Sequence, residues 1–334
     1  MPDSAGRVTI ATMRPRLMLD NNVWTFLVKS DAVETLQLEA WSQGVDVVVP
    51  PAIVIEALQA NPQSPEGRAD KQHRIMAMTS AAWVRLMPEA FKEANEVRAE
   101  VERAHPEWMN SHPRLRAWNH HKTDWQSSWW DFVRRTPDEA ARIHGMLSSA
   151  TVAQARADSV RARSEAREEG RTFETVNFLR PAILLGREPG WDGDPFDSWR
   201  GEAMRRWWTA LETKGPDNDW LAPWLDRSAI DRDGWTRFWT REVDPAGVQL
   251  SWLRWAFGHV QATRATNPGT PFDNQIATYL PESDVFVTAD KGFAACIDTV
   301  RADSLARLAR AVVVPADSRA VDGVIAQLFA LAAA

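Results

Sequence analysis

Four short, mainly apolar runs stand out in this chain, two near its start and two near its end. Leu17-Met18-Leu19 and residues 45–49 come early; Val285-Phe286-Val287 and residues 311–314 come late. Runs of this length, rich in β-branched residues and lacking a polar alternation, suit strands covered on both faces. Helix-type segments separate them. The early half predicts helical structure from 24–28 and over 32–42, ended by Gly44, and a further helix opened by Pro50-Pro51. The late half predicts helices over 272–280, 291–301 and 321–333. Strands alternating with helices imply a parallel sheet with helices on both sides.

The middle of the chain has another character. Over 61–270 the strand pattern disappears, and helix-type stretches occur at 90–105, 137–170, 198–211 and 248–265. Pro-, Gly- and Asp-rich clusters at 188–195, 215–219 and 231–234 read as connections. The expected organisation is one discontinuous α/β domain made of 14–60 and 271–334, carrying an all-α insertion over 61–270.

Charge sharpens this division. Residues 61–270 carry 30 of the 39 Lys+Arg and 30 of the 45 Asp+Glu. The ends keep 9 basic and 15 acidic residues, which accounts for the whole net charge of −6. That balance argues against indiscriminate nucleic-acid binding. The acidic excess includes four residues at telling places: Asp20 closes the first apolar run, Glu56 sits on the helix after the second, Asp273 opens a helix, and Asp290 follows the third run. Functional groups in parallel sheets gather beyond the carboxyl ends of strands. Carboxylates crowded there call for a cation, and oxygen ligands suit Mg²⁺ or Mn²⁺. Asp284 precedes its strand and is expected to be structural. The single cysteine, Cys296, excludes an internal disulfide framework. No secretory signal opens the chain and no apolar run approaches the ~20 residues of a membrane span, so a cytoplasmic protein without membrane contact is expected.

Taken in order, the four acidic segments resemble a PIN domain. The family's motifs are matched by Leu19-Asp20-Asn21-Asn22, by Val48-Val49-Pro50-Pro51 leading to Glu56, by Asp273 before Ile276-Ala277, and by Thr288-Ala289-Asp290 followed by Phe293. The resemblance covers 14–60 and 271–334. It implies a three-layer α/β/α fold with a central parallel sheet, and a metal-dependent endoribonuclease that hydrolyses phosphodiester bonds with Mg²⁺ or Mn²⁺. Asp20, Asp273 and Asp290 would be the first metal ligands, with Glu56 binding a second metal or orienting water, and Asn22 and Thr288 holding the carboxylates in place. It also brings RNA as substrate and an antitoxin or inhibitor protein as partner, since many members are toxins; a homodimer is a separate candidate partnership on which the sequence carries no signal. The competing readings are a PIN-like module that binds RNA or protein without cutting, and a nuclease for single-stranded DNA.

Sixteen of the 18 tryptophans lie between Trp83 and Trp255. Two readings are open: a helical core filled by large aromatics, or a stacking surface for unpaired bases flanked by Arg. The second would use Arg205, Arg206, Trp207, Arg254 and Trp255. A basic stretch through Arg156, Arg161, Arg163, Arg167 and Arg171 would track a phosphate backbone or form a solvated salt-bridged face. His105, His112, His120 and His121 lack zinc-type spacing, and neither a phosphate-binding Gly-rich loop nor GxSxG occurs.

Overall fold

The early apolar runs form strands in the computed structural model, which describes residues 14–60, 64–113, 115–144, 157, 160, 164, 181–182, 189–192, 196–262 and 270–333. The chain opens with β1 (Arg16–Leu19), α1 (Asn21–Lys29), α2 (Val33–Ser42), β2 (Asp46–Val49), α3 (Pro51–Gln59), α4 (Pro65–Met78), β3 (Val84–Arg85) and α5 (Glu89–Ala104). Then come α6 (Leu115–Thr123), α7 (Trp129–Arg135), α8 (Pro137–His144), α9 (Ser198–Glu212), α10 (Pro216–Leu221), α11 (Arg232–Arg237) and α12 (Gln249–Ala262). The last part is α13 (Thr270–Ala277), β4 (Val285–Thr288), α14 (Lys291–Asp303), β5 (Arg310–Val313) and α15 (Ala320–Ala332).

Five of the seven strands among the described residues make one sheet in the order β3-β2-β1-β4-β5, with every neighbouring pair parallel, and Pro181–Ala182 and Phe196–Asp197 form a separate antiparallel pair. Successive side chains of a strand point to opposite faces. Leu17, Met18 and Leu19 are all buried, as are Val47, Val48 and Val49, and Val285, Phe286 and Val287. Both faces of the three inner strands are therefore covered. Parallel crossovers are right-handed. The connections β1 to β2 and β4 to β5 run in opposite directions across the sheet, which puts α1 and α2 on one face and α14 on the other. The expected α/β class with a parallel sheet and a large helical portion is what the chain forms.

Local signals explain the element ends. α2 stops where Gly44 takes φ 65°, a left-handed conformation that glycine adopts without strain, and Val45 N–H closes back on Ala40 O at 2.9 Å. α3 begins on Pro51, whose missing N–H would be unpaired there anyway.

The middle departs from its expected all-α character. β3 adds to the free edge of β2 with Val48 opposite Val84, so the fifth strand comes from inside the 61–270 stretch. A two-residue strand shows no alternation in sequence, so no pattern announces it. Two expected connections are helices. Pro216 starts α10, and the Asp231 side chain caps α11 by accepting from Gly234 N–H at 2.6 Å; the residues that break a helix also start one. Of the helix expected over 137–170, the first part is α8 and most of the rest lies outside the described residues. The arginine stretch from Arg156 to Arg171 lies outside them as well.

Tryptophans fill the helical portion. Of the sixteen between Trp83 and Trp255, twelve are buried, and Trp130, Trp207, Trp235 and Trp239 are among the largest fully buried side chains. They join the sheet's apolar residues in one continuous core. No helix among the described residues is long and apolar enough to cross a membrane.

Candidate functional site

The sheet order reverses between β1 and β4: from β1 the chain winds outward to β2 and β3, and from β4 it winds the other way to β5. Helices leaving such neighbours diverge and open a crevice beyond the strands' carboxyl ends. Asp20 and Asp290 stand at that point. Pairing Leu17 with Val285 and Leu19 with Val287 continues one residue further, where Asp20 N–H donates to Val287 O at 2.9 Å. Register alone thus sets Asp20 beside Thr288.

Asp20 is buried, and three donors hold its carboxylate. Asn21 N–H donates to Oδ1 at 2.7 Å, and Asn22 Nδ2 donates to Oδ2 at 2.7 Å. Thr288 Oγ1 donates to the same Oδ2 in a short bond. Thr288 Oγ1 also accepts from Asp290 N–H at 2.9 Å, and Asn22 Oδ1 accepts from Ala289 N–H at 3.0 Å. Asp290 caps α14, its Oδ1 accepting from Gly292 N–H at 2.6 Å and Phe293 N–H at 3.0 Å. Asn22 and Thr288 therefore tie the two aspartates into one network.

Capping is an ordinary use for an Asp, but the electrostatics here go further. Burial pushes the Asp20 carboxyl up to about 6, with the Asp290 charge adding to the rise, despite the opposing bonds from Thr288, Asn21 and Asn22. Glu56 reaches the cluster from α3, which packs against α1. Burial and then the Asp20 charge push it up to about 8, against the lowering effect of the Asn21 side chain and Arg74. Glu56 as a residue is only half-buried, but its Oε2 is fully shielded and makes no hydrogen bond, and the same holds for Asn21 Oδ1. Shielded oxygens without donors beside carboxylates that resist ionising are a set that a hard cation would satisfy.

No protein-family model, curated protein or solved structure matches this chain. The site therefore rests on its own geometry. Among the described residues, no three His, Cys, Asp or Glu side chains are grouped closely enough to hold a metal ion. Asp273 lies one helix away on α13, which packs against α3. The structure thus draws Asp20, Asp290, Asn22 and Thr288 into one hydrogen-bonded cluster and couples Glu56 to it by charge.

Two contributors are not evident from the sequence motifs. Asn21 sits between Asp20 and Asn22 and has no motif role of its own. Arg74, on α4, offsets the Glu56 charge and donates from Nη1 to Thr25 Oγ1 at 2.6 Å. Its signal is the three-residue spacing of Arg68, Lys71 and Arg74, which sets basic side chains along one helix face.

The expected base-stacking residues need correction. Trp207 is fully buried, and Trp255 is buried and stacked on His259 with ring centres 5.1 Å apart. Arg206 donates to Glu93 at 2.6 Å and bidentately to Asp217 at 2.9 and 2.8 Å; Arg254 donates to Glu93 at 3.1 and 3.2 Å. Both guanidinium groups are spent neutralising a buried glutamate. Arg205 lines surface clefts on α9 beside Glu202 and Thr209. Alternating Trp and Arg in sequence looks the same whether the pairs face bases or each other.

Proposed function

We propose that this protein is a PIN-like, metal-dependent endoribonuclease whose active site is the carboxylate cluster at the switch between β1 and β4. The observation that carries this reading is the pair of raised acids, Asp20 and Glu56, with the unpaired Glu56 Oε2 and Asn21 Oδ1 beside them. Such a set is unfavourable as it stands and becomes favourable around Mg²⁺ or Mn²⁺. Asp20, Asp273 and Asp290 would hold the ion, directly or through water, and Glu56 would bind a second ion or orient water. A bound ion supplies Lewis acidity and lowers the pKa of water.

The chain's own residues do the rest. Thr288 and Asn22 fix the orientation of Asp20, and Asn22 fixes the turn that carries Asp290. Glu56, reaching in from α3, would orient the attacking water. Arg74 places a cation next to an otherwise negative crevice, where a phosphate would need it. The helical portion, packed on the same core, would shape access for a particular RNA. An antitoxin-type inhibitor belongs to the same reading, and a homodimer is a separate candidate partnership.

One observation favours a second reading. Asp20 and Asp290 both cap helices, and no three-acid metal group occurs among the described residues. A PIN-like binding module that no longer cuts is consistent with that.

The decisive experiment incubates cellular RNA and single-stranded DNA with the protein in Mg²⁺, Mn²⁺ or EDTA, beside a folded Asp20→Asn variant. Metal-dependent cutting of RNA, reduced in the variant to the EDTA level, is the expected result. Cutting confined to DNA would move the substrate class. No cutting of either polymer by folded wild type would leave the binding module.

A further inference from the structure

A second feature adjoins the carboxylate cluster and shares Arg74 with it. A cleft of about 360 Å³ runs between α1 and α4, lined by Thr25, Lys29, Asp70, Lys71 and Arg74 among others. Three of its side chains are cationic and one is anionic. Lys29 comes from the end segment that carries the acidic excess, and Lys71 and Arg74 from the charge-balanced middle.

The cleft is built in continuity with the site. Asn21, Thr25 and Lys29 recur every fourth residue, so they share one face of α1 over roughly 12 Å. Thr25 Oγ1 donates to Asn21 O at 3.0 Å, one turn from Asp20, and accepts from Arg74 at 2.6 Å. Arg74 belongs to both places, since it lines the cleft and offsets the charge of Glu56. Lys71 is held in place by donating to Leu58 O at 2.7 Å, at the end of α3, the helix that carries Glu56. An ammonium group has three donors, and this bond uses one.

We propose that this cleft is a backbone subsite that grips the phosphodiesters of a single-stranded polynucleotide next to the cluster, with Lys29 and Lys71 as the side chains that hold phosphate. The proposal rests on the nuclease reading for its substrate class. The chemistry follows from charge. A polyanion approaching Asp20, Glu56 and Asp290 meets repulsion, and fixed cations beside the crevice give it a foothold. Lysine serves as a point charge for phosphate and reads no base, so the grip would be indifferent to sequence. Asp70, in the same wall, weakens that grip.

The test measures binding of a fluorescent single-stranded oligoribonucleotide and its deoxy counterpart in EDTA, so that no cutting is needed. It compares wild type with the double variant Lys29→Gln/Lys71→Gln and with Asp70→Asn, over a range of salt. Expected is about tenfold weaker binding of both polymers by the double variant, measured at a temperature where all three proteins are fully folded. The salt slope should flatten by about 0.7 for each phosphate that is no longer neutralised. Asp70→Asn should tighten binding severalfold. Equal affinity and equal slope in all three proteins would overturn the subsite, even if wild type cuts RNA with metal. Absence of binding by wild type at low salt would overturn it too. Weakened binding in the double variant, with no cutting under any condition, would uphold the subsite and defeat the nuclease reading instead.

Discussion

Thr288 shows how much one hydroxyl decides. It donates to Asp20 and accepts from the Asp290 N–H, so it sets the positions of two acids at once without touching a substrate itself. Thr288→Val keeps the shape and removes both bonds. Activity or metal affinity should fall about 10- to 100-fold, the usual cost of losing an orienting partner, while Thr288→Ser should restore most of it; titrating cleavage against Mn²⁺ checks both. A different residue gives a pH prediction. Glu96 lies away from the site, and burial pushes it up to about 8 although it accepts from Leu250 N–H at 2.8 Å. A carboxyl raised in the folded state is neutral there while the unfolded chain ionises it from about pH 4.5 upward. Its cost to stability is therefore absent below that pH, grows as pH rises, and levels off above about 8. Glu96→Gln keeps the acceptor and removes the charge. It should raise the melting temperature at pH 8–9 and leave it nearly unchanged at pH 4.5.

Among elements, α5, α9 and α12 are locked by an ion group centred on Glu93. Burial alone would raise this carboxyl, but Arg206, Arg254 and the Ser251 hydroxyl hold it down at about 2. The sign is opposite to that of Glu96: the stabilisation is full above about pH 4.5 and is lost as pH falls toward 2. Arg206→Ala leaves Glu93 and Asp217 short of a partner and should cost about 3–5 kcal/mol, the penalty for breaking a buried pair. Chemical denaturation at pH 7 measures it. The same substitution should not affect RNA affinity beyond its effect on the folded fraction, in contrast to the base-contacting role that an Arg-Trp pattern implies. The strands and helices near the two ends are legible in sequence because buried parallel strands leave mainly apolar runs and caps leave Asp, Gly and Pro at fixed offsets. The acids Asp20 and Asp290 are legible for the same reason, since they directly follow such strands. β3 is too short to leave a pattern. The partners of Arg206 and Arg254 are hidden because they lie 113 and 161 residues away, a distance over which local periodicity says nothing. Arg74 is hidden because its role depends on how α4 packs against α1 and α3.

For the whole molecule, a cation held by the cluster would bind the folded state alone. Melting in millimolar Mn²⁺ should therefore exceed melting in EDTA, by about 2.7 kcal/mol of added stability at a hundredfold excess over Kd. Asp20→Asn should abolish most of that difference, and identical curves for wild type would remove the metal from the reading. The topology carries a last consequence. β1 lies between β2 and β4, and the Asp20 partner on β4 is 268 residues further along the chain. Contacts of such span form slowly, because a long loop must close before they reward the chain. During synthesis Asp20 emerges early and waits, with one edge of β1 unpaired, until the segment around Thr288 has left the ribosome. A chain interrupted between Glu56 and that segment carries Asp20 and Glu56 without the Thr288 and Asp290 that complete the cluster, so the crevice exists only once β4 has been made.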